Sequence, residues 1–229
     1  MPNYEPTIVI GVGKGWEKLL VQISAWLQKI QPEILPATRI GFVEEEKLQN
    51  TDGQQIGEDL TDGLRRWLEE VAEAKNLDQV KQKGIEIASP QILHHRIAIM
   101  LDSRTDEETV RSTFTALADA IKSLPAGRVI LAVMVIAKGD QRRNIGMPLW
   151  DFLKELNQRS DRKLVSTNLF LLDRFRSDGT NVSREQLPNV LTFLTLLALT
   201  PYEGNEHWLF SKAEGEQIAA KTVSIGLVY

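Results

Sequence analysis

A glycine-rich stretch near the start of the chain has the residue types of a phosphate-binding turn. Residues 7–20 read TIVIGVGKGWEKLL, and Gly11, Gly13 and Gly15 stand between an apolar, β-branched run and the start of a helical pattern. Glycines at a strand-to-helix turn let the backbone approach a phosphate, and the free N–H groups of the helix N-terminus attract the anion. Lys14 could add a cation. The stretch therefore predicts a nucleotide or phosphate cradle.

The same spacing also fits a turn that holds no ligand. The dinucleotide fingerprint has its third glycine where this chain has Trp16, and Lys14 is not at the lysine position of the P-loop motif G-x-x-x-x-G-K-[ST]. Trp16 is bulky at the place where a phosphate would lie. From the residues alone, two interpretations stay open: a cradle, or a tight turn whose glycines only permit close packing.

Candidate ligand residues also follow other apolar segments, because ligands of doubly wound sheets bind beyond the carboxyl ends of the strands. Glu44 follows one segment and could accept hydrogen bonds from ribose hydroxyls. Gly139 lies in a basic loop, residues 137–146, that could hold an anion. Asp173 begins a turn-rich loop where a base or a ribose could lie. The alternative for each is a solvated surface loop.

Composition narrows the classes of function. The chain has 229 residues, a net charge of −4 and no cysteine. The charge and the dispersed basic residues argue against nucleic-acid binding. The missing cysteines exclude thiol chemistry and Cys-ligated zinc and fit a cytoplasmic location. No carboxylate stands at metal-ligand spacing to His94, His95 or His207, so no metal site is predicted, and no apolar run is long enough to span a membrane.

Six short apolar segments have the composition of strands, and several are apolar throughout, as is typical of strands buried on both faces of a parallel sheet. They are Thr7–Ile10, Arg39–Val43, Arg96–Leu101, Arg128–Ile136, Leu164–Leu172 and Val223–Tyr229.

Apolar residues at helical spacing predict helices between these strands. The predicted helices are 16–30, which Pro32 ends, 60–71, one capped by Thr105 and Glu108, one with Pro148 near its first turn, and one capped by Ser183 and Gln186 that runs to Leu199. Residues 49–57 are linker-like but too short to separate domains. The alternation predicts one α/β domain over residues 1–229, with a mostly parallel, twisted sheet and helices on both faces.

The order of these segments resembles that of bacterial tubulin-like proteins, the group related to tubulin and the cell-division GTPase FtsZ. The similar segments are IVIGVGKG (8–15), RVILAVMVIAKG (128–139), NLFLLDRF (168–175) and SIGLVY (224–229). The family's first turn resembles G-x-G-G-T-G; here Gly11 and Gly13 match, whereas Lys14, Gly15 and Trp16 replace the other residues. The family's second phosphate loop, G-G-T-G-S-G, is replaced by KGDQRR at residues 138–143.

The resemblance implies a Rossmann-like GTPase fold with an eroded GTP site, in a protein that acts by self-assembly or as a scaffold for protein partners. A retained nucleotide, GTP or another, would lie on Gly11, Gly13, Lys14 and Gly15, and any GTPase activity would be weak. Two alternatives stay open. A dinucleotide-dependent enzyme would place the pyrophosphate of NAD or NADP on the three glycines and its ribose on Glu44. A structural adaptor would bind no ligand. No catalytic residue is assigned.

Overall fold

The computed structural model describes residues 4–87, 93–102, 105–124, 128–137, 142–161, 163–173 and 222–227. Strands and helices alternate along these residues. The strands are β1 (Thr7–Val12), β2 (Thr38–Glu44), β3 (Lys47–Asn50), β4 (Gln55–Ile56), β5 (His94–Asp102), β6 (Arg128–Ala137), β7 (Leu164–Asp173) and β8 (Thr222–Leu227). The helices are α1 (Glu17–Ile30), α2 (Leu60–Val71), α3 (Ala74–Gln82), α4 (Glu107–Ser123), α5 (Arg142–Arg159) and a short 3₁₀ helix (Pro32–Ala37).

All eight strands form one sheet, in the order β4-β3-β2-β1-β5-β6-β7-β8. The central strands β2, β1, β5, β6 and β7 are parallel, whereas β3 and β4 extend one edge antiparallel and β8 extends the other. The chain starts in the middle, moves outward to β2, and then crosses back to β5. The winding therefore reverses between β1 and β5, which is the topological switch point where such sheets bind ligands. The predicted mostly parallel α/β fold is confirmed.

Each face of the sheet carries its own core, because successive side chains of a strand point to opposite faces. Ile8 and Ile10 of β1 pack in the core that α2, α4 and α5 cover. Val9 packs in the other core, beneath α1, the 3₁₀ helix and α3. The prediction of helices on both faces is confirmed, and the switch point lies between these two layers.

Most predicted elements lie where the sequence placed them. The five parallel strands match to within two residues at each end, and α2 covers the predicted residues 60–71. The linker-like interpretation of residues 49–57 is wrong, because β3 and β4 form a hairpin anchored by the buried Leu48. Helix α5 begins at Arg142, so Pro148 lies in its interior and not near its first turn. The predicted helix ending at Leu199 lies outside the described residues.

Two further observations bound the chemistry of the described residues. Within the described ranges, no helix is long and apolar enough to cross a membrane. Among the same residues, no group of three or more histidine, aspartate or glutamate side chains could hold a metal ion.

Candidate functional site

The glycine turn leaves the sheet at the switch point and stays attached to the neighbouring strand. The Gly13 N–H donates to the Val43 carbonyl of β2 at 2.9 Å, so the turn begins as a continuation of the ladder between β1 and β2. Gly13 and Gly15 have φ of 91° and 93°. Residues with a Cβ rarely adopt this conformation, so both positions need glycine for backbone reasons alone.

Trp16 fills the space beneath the turn. Its side chain is 5% exposed and packs in the core under α1. Its Nε1–H donates to the Val12 carbonyl at 2.9 Å, which ties the indole to the last residue of β1. A Cβ at Gly11 would lie 2.5 Å from both Cβ and Cγ of Trp16. The close approach that Gly11 permits is therefore to the indole of the same chain.

Thr105 supports the turn from the other side of the switch point. Its hydroxyl donates to the Val12 carbonyl at 3.2 Å, and a Cβ at Gly13 would lie 3.0 Å from its Cγ2.

The prediction that Thr105 caps α4 is wrong. Asp106 is the cap: its carboxylate accepts from the Thr109 N–H and the Thr109 hydroxyl, each at 2.8 Å. These hydrogen bonds, the backbone one first, lower the pKa of Asp106.

The outer side of the turn is open. Lys14 and Gly15 are exposed, and a Cβ at Gly15 would meet no atom within 4 Å. Helix α1 begins without a side-chain cap, because its N-cap residue is Trp16. Its first N–H groups are therefore available to water or to an anion. Nearby carboxylates oppose an anion, since Glu17 lies in the first turn of α1 and Glu44 ends the adjacent β2.

The structure brings together most of the residues predicted for the site. Gly13, Lys14 and Gly15 form the turn, Gly11 lies in β1 two residues before it, and Glu44 follows Val43, whose carbonyl accepts from the Gly13 N–H.

The other two predicted residues do not join this group. Asp173 is the last residue of β7, at the same carboxyl edge, but β5 and β6 separate β7 from β1. At about 4.8 Å between neighbouring strands, Asp173 is about 14 Å from the turn. Gly139 lies outside the described residues.

Sequence reasoning missed two groups that shape this turn: the Thr105 hydroxyl and the Val43 carbonyl. The available signal for Thr105 was its position, since it follows the strand that comes after the reversal of winding.

The chain matches no protein-family model, no curated protein and no solved structure. The chemistry of the turn follows from its geometry: two left-handed glycines and an uncapped helix start outside, and an indole inside.

Proposed function

We propose that the chain is a divergent tubulin-like domain whose GTP site is eroded and which acts through protein contacts, by self-assembly or as a scaffold. The observation that carries this proposal is the indole of Trp16 beneath Gly11. A phosphate cradle needs its glycines free for the ligand, and here the close approach at Gly11 is used by a side chain of the same chain.

A residual nucleotide would have few groups to bind. Gly13, Lys14, Gly15 and the first N–H groups of α1 remain on the open side. Together these groups could attract an anion, but the nearby carboxylates of Glu17 and Glu44 weaken that attraction. We therefore expect GTP and ATP to bind weakly, with dissociation constants in the millimolar range, and not to be hydrolysed at a measurable rate.

Titration of GTP and ATP into the purified chain, followed by tryptophan fluorescence, tests this half of the proposal. Trp16 lies directly under the turn and would report a ligand there. Saturable micromolar binding with rapid hydrolysis, both lost in Gly13→Asp, would overturn the eroded site. Gly84→Asp is the matched control for added charge, because Gly84 also has a positive φ, is exposed outside the glycine turn, and a Cβ there would meet no atom within 4 Å.

Exposed apolar side chains on α1 support the protein-contact half. Trp26 is 48% exposed and Val21 is 42% exposed. Exposed tryptophans are frequent anchors of protein interfaces. Sedimentation velocity across protein concentrations tests self-assembly: we expect the mass to rise with concentration and Trp26→Ser to reduce this rise. If the protein stays monomeric at every concentration, self-assembly is excluded and only the scaffold role remains.

One observation favours a second candidate, the dinucleotide-dependent enzyme. Glu44 stands at the carboxyl end of β2, next to the glycine turn, where an acidic side chain can accept hydrogen bonds from a ribose. Mass spectrometry of small molecules released from gently purified protein tests this candidate. Recovered NAD or NADP, with a loss in Glu44→Gln, would favour the enzyme over the scaffold. A ligand-free adaptor would release neither and would not respond to Gly13→Asp beyond packing.

A further inference from the structure

A cleft lies beside the first half of β2, away from the glycine turn. Its volume is about 300 Å³, which is at the lower end of the range of about 300–1,000 Å³ for ligand pockets. Thr38, Arg39 and Ile40 form its floor along the strand. Strand β3 pairs only with residues 41–44 of β2, so no strand among the described residues lies opposite this floor.

The backbone of Ile40 faces this cleft. The Val43 carbonyl points to β1, where it accepts from Gly13, and the direction of backbone groups alternates along a strand. Gly41 and Arg39 therefore face β1 as well, whereas Phe42 and Ile40 face the other side. Phe42 is paired with Gln49 of β3, and Ile40 lies beyond the end of that pairing. A residue whose N–H and C=O pair with no other strand can bind an added strand. In this stretch Ile40, which is 8% exposed, is that residue, because the Thr38 N–H already donates to the Leu35 carbonyl.

Side chains from both helical layers border the cleft. Ile56 and Trp67 belong to the β4–α2 side of the sheet, whereas Ser24 and Leu35 come from α1 and the 3₁₀ helix on the opposite side. The cleft thus continues the plane of the sheet between the two layers. A strand placed there would point successive side chains alternately at Trp67 with Ile56 and at Ser24 with Leu35.

Two polar side chains of the cleft, Arg39 and Glu70, can form hydrogen bonds with a peptide backbone. Arg39 donates from Nε to Glu70 Oε2 at 2.9 Å and from Nη1 to the carbonyls of Pro36 and Thr38. These contacts use three of the five N–H donors of a guanidinium and leave the two on Nη2. Glu70 is 41% exposed and keeps a second oxygen. The pair can offer a donor and an acceptor side by side, which is what an amide group needs.

We propose that this cleft binds an extended peptide segment of a partner protein as an added strand against residues 38–40. The segment would have an apolar side chain toward Trp67 and a small or aliphatic one toward Ser24 and Leu35. Main-chain hydrogen bonds to Ile40 would supply affinity, and the two side-chain positions would supply selectivity.

The probe is a library of random heptapeptides, selected on the full chain, followed by synthesis of the strongest binder. We expect a micromolar dissociation constant and slower hydrogen exchange of the Ile40 amide when the peptide is bound. N-methylation of alternate peptide residues should weaken binding at least tenfold at the residue that pairs with Ile40 and little at its neighbours. This alternation distinguishes an added strand from general apolar adsorption.

Ser24→Arg should block the cleft and weaken binding at least tenfold, since Ser24 borders the cleft on the surface of α1. Ala25→Arg is the matched control: it adds the same side chain one residue along, at an exposed position outside the cleft, and should leave binding unchanged. Thermal melts establish that both variants fold. Failure to select any peptide, or equal binding by the two variants, would overturn the inference.

This inference rests on the proposed scaffold role, because it takes the partner to be a protein. The peptide inference and the proposal of an eroded nucleotide site can each be disproved without the other. Loss of peptide binding concerns only the edge of β2. Micromolar nucleotide binding at the glycine turn would reject the eroded site and leave the peptide result as measured.

Discussion

The two ends of the parallel sheet differ in their polar groups: those at the amino end are buried and paired, whereas those at the carboxyl end are exposed. At the amino end, the Glu5 carboxylate contacts His94 Nδ1 at 2.9 Å and accepts from Arg96 Nε, with the Glu5 and Arg96 side chains only 9% and 11% exposed. The Tyr4 hydroxyl is hydrogen-bonded to Thr38 Oγ1 at 2.6 Å. At the carboxyl end, Lys14 and Gly15 are exposed beside a helix start without a side-chain cap.

Residues with positive φ are concentrated at the carboxyl end beside the glycine turn. Four lie in two neighbouring turns: Gly13 and Gly15 after β1, and Glu45 and Glu46 after β2. Gly84 and Asp161, which precede β5 and β7, also have positive φ but lie in separate turns. At the amino end, the side chains of Tyr4, Thr38, Glu5 and Arg96 are bonded within the protein and leave little for a ligand. Strained and open backbone is typical of ligand-binding regions, and closed networks are typical of structural ones. We therefore expect substitutions at the amino end to affect stability most, and substitutions at the carboxyl end to affect any ligand binding.

The largest expected effect is at the amino end. Glu5→Gln keeps the size of the side chain but removes the charge that faces Arg96 and His94. Breaking a buried ion pair by removing one charge costs about 3–5 kcal/mol, because the remaining charge stays out of water. We expect a loss of this size in the free energy of unfolding, measured by urea denaturation.

The control is an exposed ion pair. Glu155→Gln removes one of the two carboxylates that pair with Arg159, the other being Asp119. Glu155 and Arg159 lie on the surface of α5 and are 45% and 41% exposed. Such pairs contribute about 0–1 kcal/mol. Equal losses in the two variants would mean that the amino-end network is no stronger than a surface pair, and the comparison between the two ends would fail.

The next effect separates two roles of glycine at the carboxyl end. Gly11→Ala would place a Cβ 2.5 Å from atoms at the base of the Trp16 side chain, which cannot move without shifting α1. Overpacking of this kind costs about 1–3 kcal/mol. Gly15→Ala meets no atom and has only its positive φ to accommodate, so we expect about 1 kcal/mol. Urea denaturation of both variants measures the difference. A smaller loss for Gly11→Ala would show that the indole does not require this glycine.

The sequence predicts the parallel sheet because its strands are continuous apolar, β-branched runs, such as residues 128–137. The β3–β4 hairpin and α3 escape prediction because each buries few side chains; in β3 only Leu48 is fully buried.

The sites are harder to predict, since their partners are distant in sequence. The Glu5 carboxylate contacts His94 and Arg96, which come 89 and 91 positions later in the sequence. At the turn, a phosphate and an indole both require a glycine at position 11, so the residues alone leave the choice open, and only the structure shows that Trp16 lies against Gly11.

We also expect the free energy of unfolding to depend on pH through His95, in the interior near the amino end of the sheet. His95 is buried, its Nε2 contacts the Leu68 carbonyl at 3.0 Å, and its Nδ1 has no partner among the described residues. Since a carbonyl only accepts, Nε2 carries the proton of the neutral ring. Burial is the main cause that lowers the pKa of His95; the nearby His94 also lowers it, while the Leu68 carbonyl and the Glu5 charge act in the other direction.

The sign of the pH dependence follows. The unfolded chain binds a proton at His95 near pH 6.5, whereas the folded chain binds it only at lower pH. This contribution to stability is therefore complete at pH values above about 6.5 and is lost as the pH falls through the folded pKa. We expect the free energy of unfolding to fall from pH 7 to pH 5, and to fall less in His95→Gln, which keeps a donor for Leu68. Parallel pH profiles for the two proteins would exclude His95 as the source.

The smallest effect tests whether strain at the carboxyl end is functional. Glu45 and Glu46 connect β2 to β3 with φ of 50° and 58°, at the two positions where tight hairpins prefer Asn-Gly. The double variant Glu45→Asn, Glu46→Gly should raise the free energy of unfolding by about 1 kcal/mol, because the new residues adopt positive φ more easily. The double variant Glu45→Gln, Glu46→Gln removes the same charges without relieving the backbone and should change stability by less than about 0.5 kcal/mol. Equal gains would assign the effect to charge repulsion. If relief of the strain leaves nucleotide, dinucleotide and peptide binding unchanged, this turn serves only to join two strands; if it alters one of them, the exposed acidic turn belongs to that site.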